Sequence, residues 1–78
     1  LVKTKILLYP NPTNGTIFIT SKTVLTHLKM TNVLGQTLIS KPLNTLETSL
    51  ELQPYADGSY FITLQSDDGE ITKRIIKN

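Results

Sequence analysis

Apolar and polar positions along this chain alternate with a period of two over most of its length. Ile17 and Ile19 share one side of a run over residues 16–21, and Leu28 and Met30 do the same over 24–31. Leu50 and Leu52 alternate with Ser49 and Glu51, and Tyr60, Ile62 and Leu64 alternate with Phe61, Thr63 and Gln65. Successive side chains of a strand point to opposite faces, so this pattern predicts strands with one buried face. No window holds the i, i+3, i+4, i+7 spacing of an amphipathic helix for three turns.

Turn chemistry interrupts the pattern every eight to twelve residues or so, the spacing of sandwiches and small barrels. The seven runs are 5–9, 16–21, 24–31, 36–41, 48–52, 59–66 and 70–77. One-faced strands of this number bury their apolar sides against each other in two layers. The expected fold is therefore an all-β, Ig-like antiparallel β-sandwich of about seven strands.

Each break has its own mechanism. Pro10 and Pro12 remove two backbone donors and restrict Tyr9 and Asn11 to extended geometry. Asn14-Gly15 predicts a turn with positive φ. Together they predict a rigid crossover between sheets. Asn32-Val33-Leu34-Gly35-Gln36 predicts a type I turn closed by a left-handed glycine, with residues 36–41 returning as the hairpin partner and Pro42 ending it. Pro54 with Asp57-Gly58 predicts a corner, and Asp68-Gly69 a hairpin turn.

Composition narrows the possible functions. A chain of 78 residues is one small domain. Eight basic and six acidic side chains give a net charge of +2, too weak and mixed for a nucleic-acid binder, and Lys73-Arg74 with Lys77 is the one basic cluster. The absence of cysteine excludes disulfides, thiolate metal sites and a cysteine nucleophile. No apolar run approaches the length of a membrane span, and the first residues lack the apolar segment of a signal peptide. With no initiator Met, the expectation is a piece of a longer precursor.

The chemistry-bearing residues give no catalytic pattern. His27 stands alone in a strand and reads as a surface or edge histidine. Asp67, Asp68 and Glu70 surround Gly69 with carboxylates, but their spacing is not that of an EF-hand, and they read as a wet hairpin tip. Asn14-Gly15-Thr16 fits a glycosylation sequon, although a turn accounts for it fully. No nucleophile elbow, phosphate loop, zinc motif or C-x-x-C is present. Strict alternation sets Phe61 on the outer face. Ile75 and Ile76 are adjacent and cannot both face inward, which leaves a bulge or an apolar surface patch.

Four segments then coincide in order: YPNPTNG at 9–15, NVLGQ at 32–36, PYADGSYFITL at 54–64 and KRIIKN at 73–78. In this order and spacing the chain resembles the C-terminal sorting domain of the type IX (Por) secretion system of Bacteroidetes, type A form, over residues 6–78. The family's P-N-P-x-x-G element falls on Pro10, Asn11, Pro12 and Gly15. Its mid-domain glycine falls on Gly35, and its G-x-Y element on Gly58 and Tyr60, with Tyr55 before them. Its basic terminal strand falls on Lys73, Ile75 and Lys77. Arg74 beside the expected lysine and Asn78 at the end depart from the pattern.

The resemblance implies a non-catalytic secretion signal in folded form, without cofactor or metal. Residues 1–5 would link it to an upstream cargo domain, with the cleavage site in or before them, and the precursor would end at Asn78. The implied partners are the outer-membrane translocon, shuttle and sortase components of the type IX machinery. The domain would pass through the periplasm, direct its cargo across the outer membrane, and then be removed at the cell surface, leaving cargo anchored or released. The candidate recognition residues are Pro10, Asn11, Pro12, Gly15, Gly35, Gly58, Tyr60, Lys73, Arg74 and Lys77. The proline corner serves either recognition or strand connection alone, and Tyr60 reads as core. The terminal strand is expected to be an edge open to β-augmentation, its cations steering an acidic receptor. The alternative is an Ig-like adhesive or carbohydrate-binding module, which would carry a row of exposed aromatics.

Overall fold

A computed structural model describes residues 5–78. The linker expected at 1–5 therefore lies, apart from Lys5, outside the described residues. The order is β1 (Ile6–Tyr9), β2 (Thr16–Asn32), β3 (Thr37–Glu51), β4 (Gly58–Ser66) and β5 (Gly69–Lys77). All neighbours pair antiparallel in one five-stranded sheet, β1-β2-β4-β5, with β3 on the other side of β2.

The class is all-β as expected, but the sheet is a single curled one of five strands rather than two sheets of about seven. Two expected breaks are not breaks. Lys22-Thr23 lies inside the 17-residue β2, and Pro42 lies inside the 15-residue β3. The β2–β3 ladder shifts register between Thr20 and Leu25 and again before His27, which bends the long hairpin without ending it. At that bend the Ser21 hydroxyl accepts from Thr23 N (3.1 Å) and donates to Thr23 O (2.6 Å). Pro42 sits opposite His27 on a strand that pairs only with β2, so its missing N–H costs no second ladder.

The bend lets one stretch of sheet face another. The first half of β2 carries β1 on one side and the end of β3 on the other; the second half carries β4 and the start of β3. Ile6, Ile17, Ile19 and Leu50 from the first stretch and Leu28, Met30, Ile62, Leu64 and Ile75 from the second form one buried cluster. Each such side chain contributes about 1.5–3 kcal/mol before conformational entropy is subtracted. Leu38 is half-buried at the edge of this cluster.

The Ile75-Ile76 ambiguity resolves without a bulge. The β4–β5 register is continuous from Gly58↔Lys77 to Ser66↔Gly69. Ile75 is fully buried and Ile76 is 38% exposed. Phe61 is half-buried between Thr31 and Arg74. The exposed aromatics are instead Tyr9 and Phe18 on adjacent strands, with ring centroids 5.9 Å apart.

The turns follow their chemistry with one exception. Gly35 has φ +84°. The Asn32 side chain organises that turn: its Oδ1 accepts from Leu34 N (2.9 Å) and Gln36 N (3.0 Å). Gly15 does not have the positive φ expected of it; the glycines that do are Gly35, Gly58 and Gly69. The Gly15 carbonyl accepts from Leu52 N at 2.7 Å, and the only neighbour a Cβ on Gly15 would crowd is the end of the exposed Gln53 side chain, which can swing aside.

Candidate functional site

The proline corner leaves β1, crosses to the far edge of the sheet and fastens the last strand. The Tyr9–Pro10 and Asn11–Pro12 bonds are both cis. Between the prolines, Asn11 Nδ2 donates to Arg74 O at 3.0 Å and its Oδ1 accepts from Ile76 N at 3.1 Å. Thr13 continues the line with its backbone. Thr13 N donates to Ile76 O at 2.8 Å, and Asn78 N donates to Thr13 O at 2.9 Å, a parallel bridge. A side-chain amide and a short piece of backbone thus act as a sixth strand along the end of β5.

Thr13 was not among the residues singled out from the sequence, yet it is the buried centre of the corner. Its hydroxyl donates to Thr16 O at 2.7 Å and accepts from Gly15 N at 3.1 Å. The signal for it was there: a threonine two residues before a glycine can fold its hydroxyl onto the following backbone.

The candidates at the other end of the chain converge on the same place. Gly58 pairs with Lys77 and Tyr60 with Ile75. The Tyr60 hydroxyl donates to Ala56 O, and its ring meets Tyr55 edge-on at 6.3 Å between centroids. Tyr60 is buried and belongs to the core. Lys77 turns inward under the Asp57-Gly58 corner, where Nζ meets Asp57 Oδ1 at 2.9 Å. Its side chain is 10% exposed against 70% for Asp57. Arg74 faces outward and its Nη2 donates to Ser59 Oγ at 3.1 Å. Asp57 is a second member that pattern reading missed, because aspartate before glycine already reads as a turn.

Pro10, Asn11, Pro12, Gly15, Gly58, Tyr60, Arg74 and Lys77 are therefore drawn to one end of the domain. Lys73 lies further along β5 and is exposed. Gly35 belongs to the β2–β3 hairpin tip, away from the rest.

This arrangement fastens the last strand through the Asn11 amide, the Thr13 backbone and the Lys77–Asp57 pair. Among the described residues, no group of three or more His, Cys, Asp or Glu side chains is placed to hold a metal ion. His27 is half-buried, with Nε2 3.0 Å from Ser40 Oγ. Asp67 and Asp68 occupy the β4–β5 hairpin tip, and Glu70 accepts from Gln65 Nε2 at 2.9 Å. No helix among the described residues is long and apolar enough to cross a membrane.

Comparison with known proteins agrees with the motifs. No curated protein matches the chain. The family model described as "Secretion system C-terminal sorting domain" matches residues 7–78, from β1 to the last residue and across every element of the clasp. The chain belongs to the secretion system C-terminal sorting domain family, and it is a non-catalytic secretion signal.

Proposed function

We propose that this domain is recognised, folded, by the type IX machinery, and that the outline of its clasped end and last strand is what the machinery reads. An upstream cargo in the same precursor reaches the periplasm by its own signal. The domain then hands it to the shuttle and the outer-membrane translocon. A surface sortase-like peptidase cuts near residues 1–5, and the cargo stays on the cell surface or is released.

The observation that carries this reading is that most of the family's motif residues, with the neighbours they bond, build one shape at one end of the domain. Asn11, Thr13, Lys77 and Asp57 tie the two ends of the domain together, and among the described residues no group of three or more His, Cys, Asp or Glu side chains is placed to hold a metal ion. A folded recognition tag needs defined contours and nothing reactive.

The test is a reporter fused upstream of residues 1–78 and expressed in a type IX-competent Bacteroidetes strain and in its translocon-deleted counterpart. The reporter is expected at the surface or in the medium of the first strain and in the periplasm of the second. Equal distribution in the two strains would refute the reading.

A further inference from the structure

The clasp covers only part of the last strand, and the part it leaves open is a second feature. In an antiparallel strand, the N–H and C=O of one residue point to the same edge, and alternate residues share that edge. Arg74 O, Ile76 N, Ile76 O and Asn78 N all point away from β4 and are taken by Asn11 and Thr13. Glu70 and Thr72 must therefore present their main-chain groups on this same edge, and no described strand pairs with them there.

What faces that open stretch is β1, itself bonded only to β2 among the described residues. The two edges do not meet: no Cα of β1 lies within 8 Å of a Cα of β5. Direct pairing would need about 4.8 Å, while one intervening strand would need about twice that. The gap is a groove of about 230 Å³, with buried Ile6 and Ile75 among its lining residues and Asn11 bordering it.

Charge identifies the occupant. Lys73 lies on the same face of β5 as Ile71 and Ile75, opposite Ile62, yet it is exposed and lines this groove. Among the described residues it has neither an ion-pair nor a hydrogen-bond partner. Arg74 stands beside it, and no carboxylate lines the groove. A lysine pointing inward on an open edge discourages pairing with a second copy, because like charges would meet. The same lysine favours a strand that brings a carboxylate.

We propose that the groove between β1 and residues 70–74 is a docking slot for one extended acidic segment of a partner protein, which adds to β5 as a further strand and sets a carboxylate against Lys73. The slot rests on the sorting reading, with the segment belonging to the export machinery. The clasp sets its limit, since Asn11 blocks the strand from running past Arg74.

The upstream-reporter fusion tests it with four variants. K73E reverses the charge, and K73R preserves it. T72P removes the outward N–H and spares the backbone ladder to β4, losing only the 2.9 Å contact between the Thr72 and Thr63 hydroxyls. K29E makes the same charge change on an exposed lysine of β2, outside the groove. Thermal unfolding of each purified domain checks the fold. K73E and T72P are expected to lower surface reporter about tenfold or more, while K73R and K29E export as wild type and all four unfold near the wild-type temperature. Wild-type export by both K73E and T72P would overturn the slot and leave the sorting reading standing. An equal fall in K29E would assign the effect to net charge and overturn it too. Should T72P unfold early, K73E against K73R and K29E decides alone. Failure of the wild-type fusion to export would remove the sorting reading, and the slot with it.

Discussion

Asn11 is bonded to the last strand as a neighbouring strand would be, its side-chain amide reaching Arg74 O at 3.0 Å and Ile76 N at 3.1 Å across 63 and 65 positions of sequence. Asparagine is the shortest side chain that carries a donor and an acceptor on one planar group, the pairing that a peptide unit offers. Removing it should loosen β5 without touching the core. N11A is expected to cost about 1–2 kcal/mol, with Tm falling about 4–8 °C per kcal/mol. N11D keeps the acceptor but sets a second carboxylate oxygen against the Arg74 carbonyl, so it should do no better. Thermal unfolding by circular dichroism measures both, and faster hydrogen exchange at the Ile76 amide would locate the loss. An N11A domain as stable as wild type would show that Thr13 and the prolines hold the corner without the amide.

The two partners of the Lys77–Asp57 pair should respond unequally, because one is buried and the other is mostly wet. D57N leaves a lysine that can still reach water at the rim, and is expected to cost less than about 1 kcal/mol. K77E places a carboxylate in the buried position beside Asp57 and should cost about 3 kcal/mol or more. Urea unfolding of the two variants gives the comparison; equal losses would contradict the burial of Lys77.

The adjacent isoleucines of β5 offer an internal control. I75A empties a fully buried site and is expected to lose about 2–5 kcal/mol. I76T alters an exposed, β-favourable position and should stay within about 0.5 kcal/mol of wild type. Both are read by chemical denaturation. A large effect at Ile76 would imply that its side chain is covered in solution.

Gly35 tests the hairpin turn. Its φ of +84° is reached readily by glycine, and a Cβ there would touch nothing within 4 Å. G35A should therefore cost about 1–2 kcal/mol from backbone conformation alone. G35N should lose less, since asparagine tolerates the left-handed region. A G35A loss well above that range would point to an unseen packing role, and the same denaturation series would reveal it.

What the sequence disclosed depended on whether the relevant force is periodic. Ile17, Ile19, Leu28, Met30, Leu50, Ile62 and Leu64 were legible as core because burial of one face writes itself as alternation. Leu25 and Ile75, each beside another β-branched or aliphatic residue, were not, since two adjacent apolar positions hide the phase. The strand count came out high for a related reason. Lys22-Thr23 and Pro42 carry the local chemistry of an ending, but a bend with shifted register and a one-sided edge accommodate both. At the site, the motif positions could be found and their bonds could not. The reach of Asn11 to Arg74 and Ile76, and of Lys77 to Asp57, joins segments distant in sequence through single polar groups, which leave no repeating trace. Lys77 in particular reads as a solvated cation until the fold brings it an acid.

The bridge between Thr13 and residues 76–78 makes the contour of the proline corner depend on residues more than sixty positions away. Without residues 76–78, Asn11 would keep the Arg74 carbonyl alone and Thr13 would have no main-chain partner on β5, so the silhouette of this end would differ.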